Sequence, residues 1–397
     1  MLSNIIPISI NNIMVKKKFL NWIELSRSAL KKNVATLSGL AHGKILSVSV
    51  KANAYGHGLP EIVSMLRTQK EVTYLTVHSL EEAVLCRQSG WDRKIITLGP
   101  ILPNDAEAVI EYDLEPAIFT KNFLEQLGKI SEKHNIRIKT HLKLETGTNR
   151  QGITEKELPA FASIYKKYDT LKKPYGAYTH FANIEDTTSH EYANYQLNKF
   201  NTMVKKLNAL ELKPTIRHTA SSAATILFKK THFDLVRPGI AVYGHWPSKE
   251  TYLSYLLEGG KNDLFQPVLT WKTRITQLKH LLPDAFIGYG CTYKTTSPTR
   301  LAVLPIGYYD GYSRALSNQA YVLIKGKRAP VRGRVCMNII VVDITDIKNV
   351  NLEDEALLIG QTKRDSISAE QIAEWAKTIN YEILARLSPA IKRIIVP

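Results

Sequence analysis

Cysteine is scarce. Three cysteines, Cys86, Cys291 and Cys336, are scattered through 397 residues. An odd, unclustered set excludes a disulfide scaffold and points to a reducing compartment, so a cytoplasmic location is expected. Long apolar runs are missing too. No stretch reaches the roughly 18 uninterrupted apolar residues of a membrane helix, so no membrane association is expected. The histidines and cysteines lack zinc-ligand spacing, which leaves no expected metal. Acidic residues are fewer than basic ones, 36 against 53, for a net charge of +17. Such an excess attracts anions non-specifically. Yet the lysines are dispersed, with no basic stripe and no RNA-binding aromatic signature, so nucleic acid is not an expected partner.

What is present describes a globular chain of 44% hydrophobic and 22% charged residues. Its length is too great for one ordinary core, so two domains are expected. Residues 1–13 are Ile-rich but interrupted by Pro7, Asn4, Asn11 and Asn12. Lys16, Lys17 and Lys18 follow this apolar part, whereas a signal peptide carries its charge in front. Residues 1–18 are therefore read as a flexible extension, shortened by its first 13 residues if synthesis begins at Met14.

From Gly43 to Gly244, short apolar runs alternate with helical stretches. Strand-like runs cover 45–50, 73–78, 94–98, 115–119, 136–144, 175–181, 215–219 and 234–243. Among the helical segments, 190–210 is the longest, and 121–134 repeats apolar residues at Phe123, Leu124, Leu127 and Ile130. Alternating strands and helices imply a parallel sheet, and eight such units imply a closed (β/α)8 TIM barrel. The barrel is assigned to 19–262. Beyond it, runs at 268–282, 300–306, 320–324, 331–344 and 355–359 are joined by Pro, Gly and Asp turns. They define a C-terminal mostly-β domain over 263–397, with 246–265 as linker. One helix is expected there. Ser368 and Gln371 form a capping-box pattern, and Ile372, Trp375, Ala376 and Ile379 share a face. Residues 19–25 alternate weakly and are compatible with either domain.

In a barrel, function sits just after the C-terminal ends of the strands. Those positions hold Lys51, His78, Lys143 with Arg150, His180, Ser221 with Ser222, and Arg237 with Gly239. Lys51 ends an apolar strand, where a lysine is costly unless paired, neutralised or covalently used. Pyridoxal phosphate (PLP) chemistry needs such a lysine, phosphate donors, a partner for the pyridine nitrogen and acid/base groups near Cα. Tyr55, Ser222 and the backbone N–H groups at Gly239 and Ile240 are candidate phosphate donors.

The string Val50-Lys51-Ala52-Asn53-Ala54-Tyr55-Gly56-His57-Gly58 resembles the PLP-attachment signature of alanine racemases, enzymes of PLP fold type III. The resemblance runs from about Phe19 to Pro397. It includes His141-Leu142-Lys143 with Arg150-Gln151-Gly152, Tyr178-Thr179-His180-Phe181-Ala182, and Asp234 to Gly244. In the second domain it includes Gly288-Tyr289-Gly290, Pro305-Ile306-Gly307-Tyr308 and Gly333-Arg334-Val335-Cys336-Met337.

The resemblance implies a two-base isomerase that interconverts L- and D-alanine and supplies D-alanine for peptidoglycan. Lys51 would exchange the proton on one face of the substrate Cα and Tyr289 on the other. The family's tyrosine comes from the partner in a head-to-tail homodimer with shared active sites. Arg237 would face the pyridine nitrogen, and His180 would hold Arg237 and Tyr289. Arg150 would meet the PLP 3′-oxygen and the substrate, oriented by a carbamylated Lys143. Main-chain N–H at Met337 would help hold the substrate carboxylate, and Tyr308 would line the entrance. Three positions depart from the family pattern: Asn338 replaces an aspartate, Ser221 an asparagine, and Pro389 a tyrosine that helps hold phosphate. The alternative is a racemase of the same build acting on serine or on a broader range of amino acids. A decarboxylase would call for an acid where Arg237 stands. A single-domain PLP-binding protein would lack the Tyr289 segment.

Overall fold

The computed structural model describes residues 19–397, so the flexible extension expected over residues 1–18 lies outside the described residues. A first strand, β1 (Asn21–Ser26), precedes eight barrel strands. These are β2 (Ile45–Ser49), β3 (Val72–Val77), β4 (Lys94–Thr97), β5 (Leu114–Ile118), β6 (His141–Lys143), β7 (Gly176–Tyr178), β8 (Ile216–His218) and β9 (Leu235–Val236). They pair in parallel in the order β8-β7-β6-β5-β4-β3-β2-β9. Ile45 and Leu46 of β2 face Leu235 and Val236 of β9. The remaining seam is bridged by Asp234 N–H to Arg217 O at 3.0 Å and Arg237 N–H to Ala220 O at 2.9 Å. The eight expected strands are therefore all present, and the (β/α)8 reading holds.

Helices cover the barrel where apolar periodicity puts them. Lys121–His134 buries Phe123, Leu124, Leu127 and Ile130, and ends on Asn135 in the left-handed region at φ +51°. Glu191–Ala209 buries Leu197, Phe200, Met203 and Leu207. The later strands are shorter than the apolar runs that announced them. The run 136–144 yields three strand residues and 234–243 yields two. In the second case Pro238 removes a ladder donor, and the chain turns into a short 3-10 segment at Ile240–Tyr243.

The second unit holds β10 (Leu269–Arg274), β11 (Gln277–Leu281), β12 (Thr299–Leu304), β13 (Tyr321–Ile324), β14 (Lys327–Pro330), β15 (Ile340–Asp343), β16 (Glu355–Gln361), β17 (Ser366–Ile367) and β18 (Lys392–Val396). One sheet runs β14-β13-β16-β10-β1-β18, with β17 on β16; the other runs β11-β12-β15. The division expected at 262/263 is corrected at one end. β1 pairs antiparallel with β10 and parallel with β18, so residues 21–26 belong to the second sheet. Their buried residues Trp22, Ile23 and Leu25 find that sheet's core.

Three other expectations change. The run 268–282 breaks at Ile275–Thr276 into strands of different sheets. The run 331–344 contributes a strand only at 340–343. Before it the chain turns at Gly333 (φ +77°), where a Cβ would lie 2.5 Å from Ile287 O. Only half of the capping box at Ser368 forms: Gln371 N–H donates to its Oγ at 3.1 Å, but the Gln371 amide turns away to donate to Tyr321 Oη at 3.3 Å. That helix stops at Ala376, however, and Ile379 lies beyond it and is exposed. The linker also contains a helix, Lys249–Leu257, capped by Ser248.

Candidate active site

At the C-terminal end of β2 the backbone does something no composition predicts. Ala52, Asn53, Ala54 and Tyr55 all have φ between +53° and +55°. This is a left-handed helical turn made of L-residues, which costs about 1–2 kcal/mol per residue. Such strain persists only where surroundings impose it, and it clusters at functional sites. Here it is held by several bonds. Ala54 N–H donates to Val50 O at 2.8 Å and Gly56 N–H to Ala52 O at 3.0 Å. Asn53 Oδ1 accepts from Leu59 N–H at 2.8 Å. Glu82, on the helix after β3, accepts from Ala52 N–H at 2.6 Å and from His78 N–H at 2.8 Å. A Cβ on Gly56 would sit 1.8 Å from Leu384 O, so that turn-closing position admits only glycine.

The turn aims Lys51 and Tyr55 into a cavity of about 270 Å³ at the barrel mouth. His180, Ser222, Arg237, Gly239 and Ile240 share its wall. Seven candidates from four strand ends are thus brought together. A Cβ on Gly239 would lie 2.1 Å from Tyr55 Oη, so the missing side chain lets the phenol reach the loop. Ser222 Oγ accepts from Gly239 N–H at 2.9 Å and from Ala241 N–H at 3.4 Å, which fixes that loop. Tyr381 and Glu185 also line the cavity, joined by Tyr381 Oη to Glu185 Oε1 at 3.1 Å. Tyr381 lies in no recognisable motif, and only folding brings it within 6.2 Å of the Tyr55 ring. A larger groove of about 550 Å³ shares Glu185 and Tyr381 with the mouth but contains none of the candidate residues.

Burial, then the nearby Arg150 and Arg237, hold the Lys51 amine below its usual range, against the pull of Glu82. Burial pushes the Tyr55 phenol up to about 12. Lys143, on β6, is drawn down to about 7 by burial and then by Arg237 and Arg150. Its Nζ lies 4.9 Å above the Tyr178 ring, and Arg237 Cζ lies 5.2 Å from the same ring. Burial lowers Arg237 to about 10, which leaves it charged at neutral pH.

The group that grips Arg237 is His218, not His180. Arg237 Nη1 donates to His218 Nδ1 at 2.6 Å and Nη2 to Thr179 O at 3.0 Å. The His180 imidazole makes no hydrogen bond among the described residues; its backbone carbonyl accepts from Thr148 and Gln196. His218 carries no signal in the sequence because it is the last residue of β8 itself, three positions before the first of the strand-end serines. Arg150 is exposed and lines a neighbouring hollow with His180.

The second-domain candidates form a separate hollow of about 530 Å³, lined by Tyr289, Tyr308, Met337 and Asn338 among others. Tyr308 N–H donates to Cys336 O at 3.1 Å and Tyr309 N–H to Met337 O at 3.0 Å, locking two motifs together. Tyr289 is 74% exposed, and Tyr308, Met337 and Ile339 of the same hollow are exposed as well. No residue of this hollow lines the Lys51 cavity.

The chain is similar to known proteins along most of its length. A family profile described as alanine racemase, N-terminal domain, matches residues 25–247, and one described as alanine racemase, C-terminal domain, matches 268–395. The chain is 40% identical over 374 residues to an alanine racemase of Halothermothrix orenii, covering 94% of this chain and 96% of that one. It superposes with a TM-score of 0.87 on the crystal structure of alanine racemase from Bacillus anthracis with bound L-Ala-P, at 31% identity and 96% coverage of both chains. An alanine racemase from Bartonella henselae with covalently bound pyridoxal phosphate gives 0.83 at 26% identity, covering 96% of this chain and 100% of that one.

Proposed function

We propose, from the premise that this chain belongs to the alanine racemase family and interconverts L-alanine and D-alanine, that Lys51 holds pyridoxal phosphate at the barrel mouth and that two copies of the chain complete each active site. The residues present suit that cofactor. Lys51 is a half-buried amine of lowered basicity. Tyr55 Oη, Ser222 Oγ and the loop at Gly239 and Ile240 make a cradle that a Cβ on Gly239 would fill. When bound, the cofactor supplies an electron sink that acidifies the substrate Cα–H.

Everything else falls to the chain. The Lys51 amine takes or returns the proton on one face of Cα. The phenol of Tyr289 from the second copy serves the opposite face, His180 lies in the mouth between them, and Tyr308 stands at the entrance. The single observation that supports sharing is the division of the candidates. Lys51 and Tyr289 line different hollows, and Tyr289 lies among exposed apolar residues of the kind that mark interaction surfaces. Arg237 stays cationic, so it offers the ring nitrogen a donor rather than a carboxylate. Arg150 polarises the substrate side, and main-chain N–H at Met337 binds its carboxylate. D-alanine so made serves peptidoglycan synthesis in the cytoplasm.

Borohydride reduction of the PLP-loaded protein followed by peptide mapping should place the label on the Lys51 peptide. Label on another lysine would sink the assignment.

Lys143 gives a pH-dependent expectation. Carbamylation needs a neutral amine, and a pKa of about 7 supplies one above that pH. The resulting anion would sit beside Arg150 and Arg237, two cations that no carboxylate pairs among the described residues. Activity should therefore fall as pH drops through about 7, and added bicarbonate should restore part of it. Native mass spectrometry should find one CO2 adduct per chain, absent in Lys143→Arg.

A further inference from the structure

The interior of a (β/α)8 barrel is ordinarily filled by branched apolar side chains. In this chain a polar column crosses it. Arg237 Nη1 is 2.6 Å from His218 Nδ1. His218 Nε2 is 2.8 Å from His141 Nδ1, and His141 Nε2 is 2.9 Å from Glu115 Oε2. All four residues are buried. Gly176 makes the space, since a Cβ there would lie 2.1 Å from His141 Nδ1.

The donor inventory fixes the direction of this column. A guanidinium only donates, so His218 Nδ1 must accept. The proton of His218 then lies on Nε2 and is donated to His141 Nδ1. By the same logic His141 carries its proton on Nε2 and donates to the Glu115 carboxylate. Both histidines are neutral and each has one tautomer. Burial and the adjacent Arg237 hold His218 well below the usual histidine range, in agreement.

Besides His141, Glu115 has two neighbours, Lys139 Nζ at 3.8 Å from its Oε1 and the Tyr74 hydroxyl, and neither of them reaches Arg237. Arg237 makes no ion pair among the described residues. A carboxylate and a guanidinium are thus buried in one barrel without touching, joined only through two imidazoles. Buried charges are costly unless compensated, and hydrogen-bond chains polarise one another.

We infer that Glu115 is a positioning residue that acts through His141 and His218 to balance and fix the charge of Arg237, and so sets how strongly the bound cofactor withdraws electrons. This rests on the reading that PLP occupies the mouth with its ring nitrogen toward Arg237. Without the carboxylate, Arg237 is a stronger donor to that nitrogen and gives up its proton more readily. Either change strengthens the electron sink. More turnovers then end with the proton on the cofactor carbon instead of Cα. The balanced side reaction converts alanine and the aldehyde cofactor into pyruvate and the amine form of the cofactor.

E115Q keeps an oxygen acceptor for His141 Nε2–H and removes the charge. In the cofactor-free wild type, 15N-histidine NMR should show His141 and His218 neutral and protonated on Nε2, with far-downfield Nε2 protons. E115Q should keep the tautomers and move those protons upfield. In the PLP-loaded enzyme, E115Q should release pyruvate roughly tenfold more often per racemisation event, with little change in KM for alanine. A wild-type His218 that is protonated on Nδ1, or is cationic, would overturn the inference whether or not the variant folds. So would a folded E115Q with an unchanged pyruvate ratio. Absence of a lysine-bound cofactor in the wild type would instead overturn the reading of the mouth, and the histidine spectra of the cofactor-free protein would be unaffected.

Discussion

Lys51→Ala should abolish the visible absorption of the PLP-loaded protein and lower racemisation of alanine by about 10³–10⁴-fold in both directions. The size follows from position. Lys51 stands at the end of β2 with the strained turn 52–55 directly behind it, and in the proposed site its amine would both anchor the cofactor and carry a proton. Burial and two arginines keep that amine less basic than a free lysine, so it is a competent nucleophile near neutral pH. The fold should survive, because the Lys51 amine makes no hydrogen bond among the described residues and an alanine leaves the turn's backbone bonds intact. Absorption spectra and a chiral alanine assay read both effects. A retained visible band would remove the central assignment.

Tyr289→Phe should have the second large effect, and of a different kind. The phenol lies far out on the second domain, 74% exposed, on a 3-10 turn whose Gly290 at φ +71° packs against the Arg334 side chain. Nothing in the barrel mouth depends on it. The variant should bind cofactor with an unaltered spectrum and lose roughly 10²–10⁴-fold in turnover, the usual range for removing one acid/base group. The loss should be uneven between the two directions when proton exchange with solvent is followed, since only one face of Cα is affected. Undiminished turnover both ways would exclude Tyr289 as a base.

The parts of this picture that the chain announces are those set by periodicity and by position at strand ends. Eight apolar runs stood out because parallel strands are buried on both faces. Lys51, His180, Ser222 and Arg237 stood out because polar residues recur at one end of those runs. The unannounced parts depend on contacts distant in sequence. Ala52 and Ala54 carry no signal for a left-handed turn; Glu82 and the closing contact at Leu384 impose it. His218, His141 and Glu115 lie within strands, where a polar residue reads as a weakened strand rather than as part of a column. β1 was ambiguous because its partners, β10 and β18, are hundreds of residues away. Ile379 kept the helical spacing of Ile372 although the helix ended at Ala376, with Lys377 at φ +56°.

A complementation experiment tests the shared site most directly. Lys51→Ala and Tyr289→Phe are each nearly inactive alone. If one chain gives Lys51 and the other Tyr289, a mixed dimer of the two variants contains one intact site and one doubly damaged site. Co-expression with random pairing should then restore about one quarter of wild-type activity, since half of the dimers are mixed and each has one working site of two. The restored activity should co-purify with doubly tagged dimers. Mixed dimers as inactive as either parent would contradict the account, because Lys51 and Tyr289 would then have to meet within a single chain.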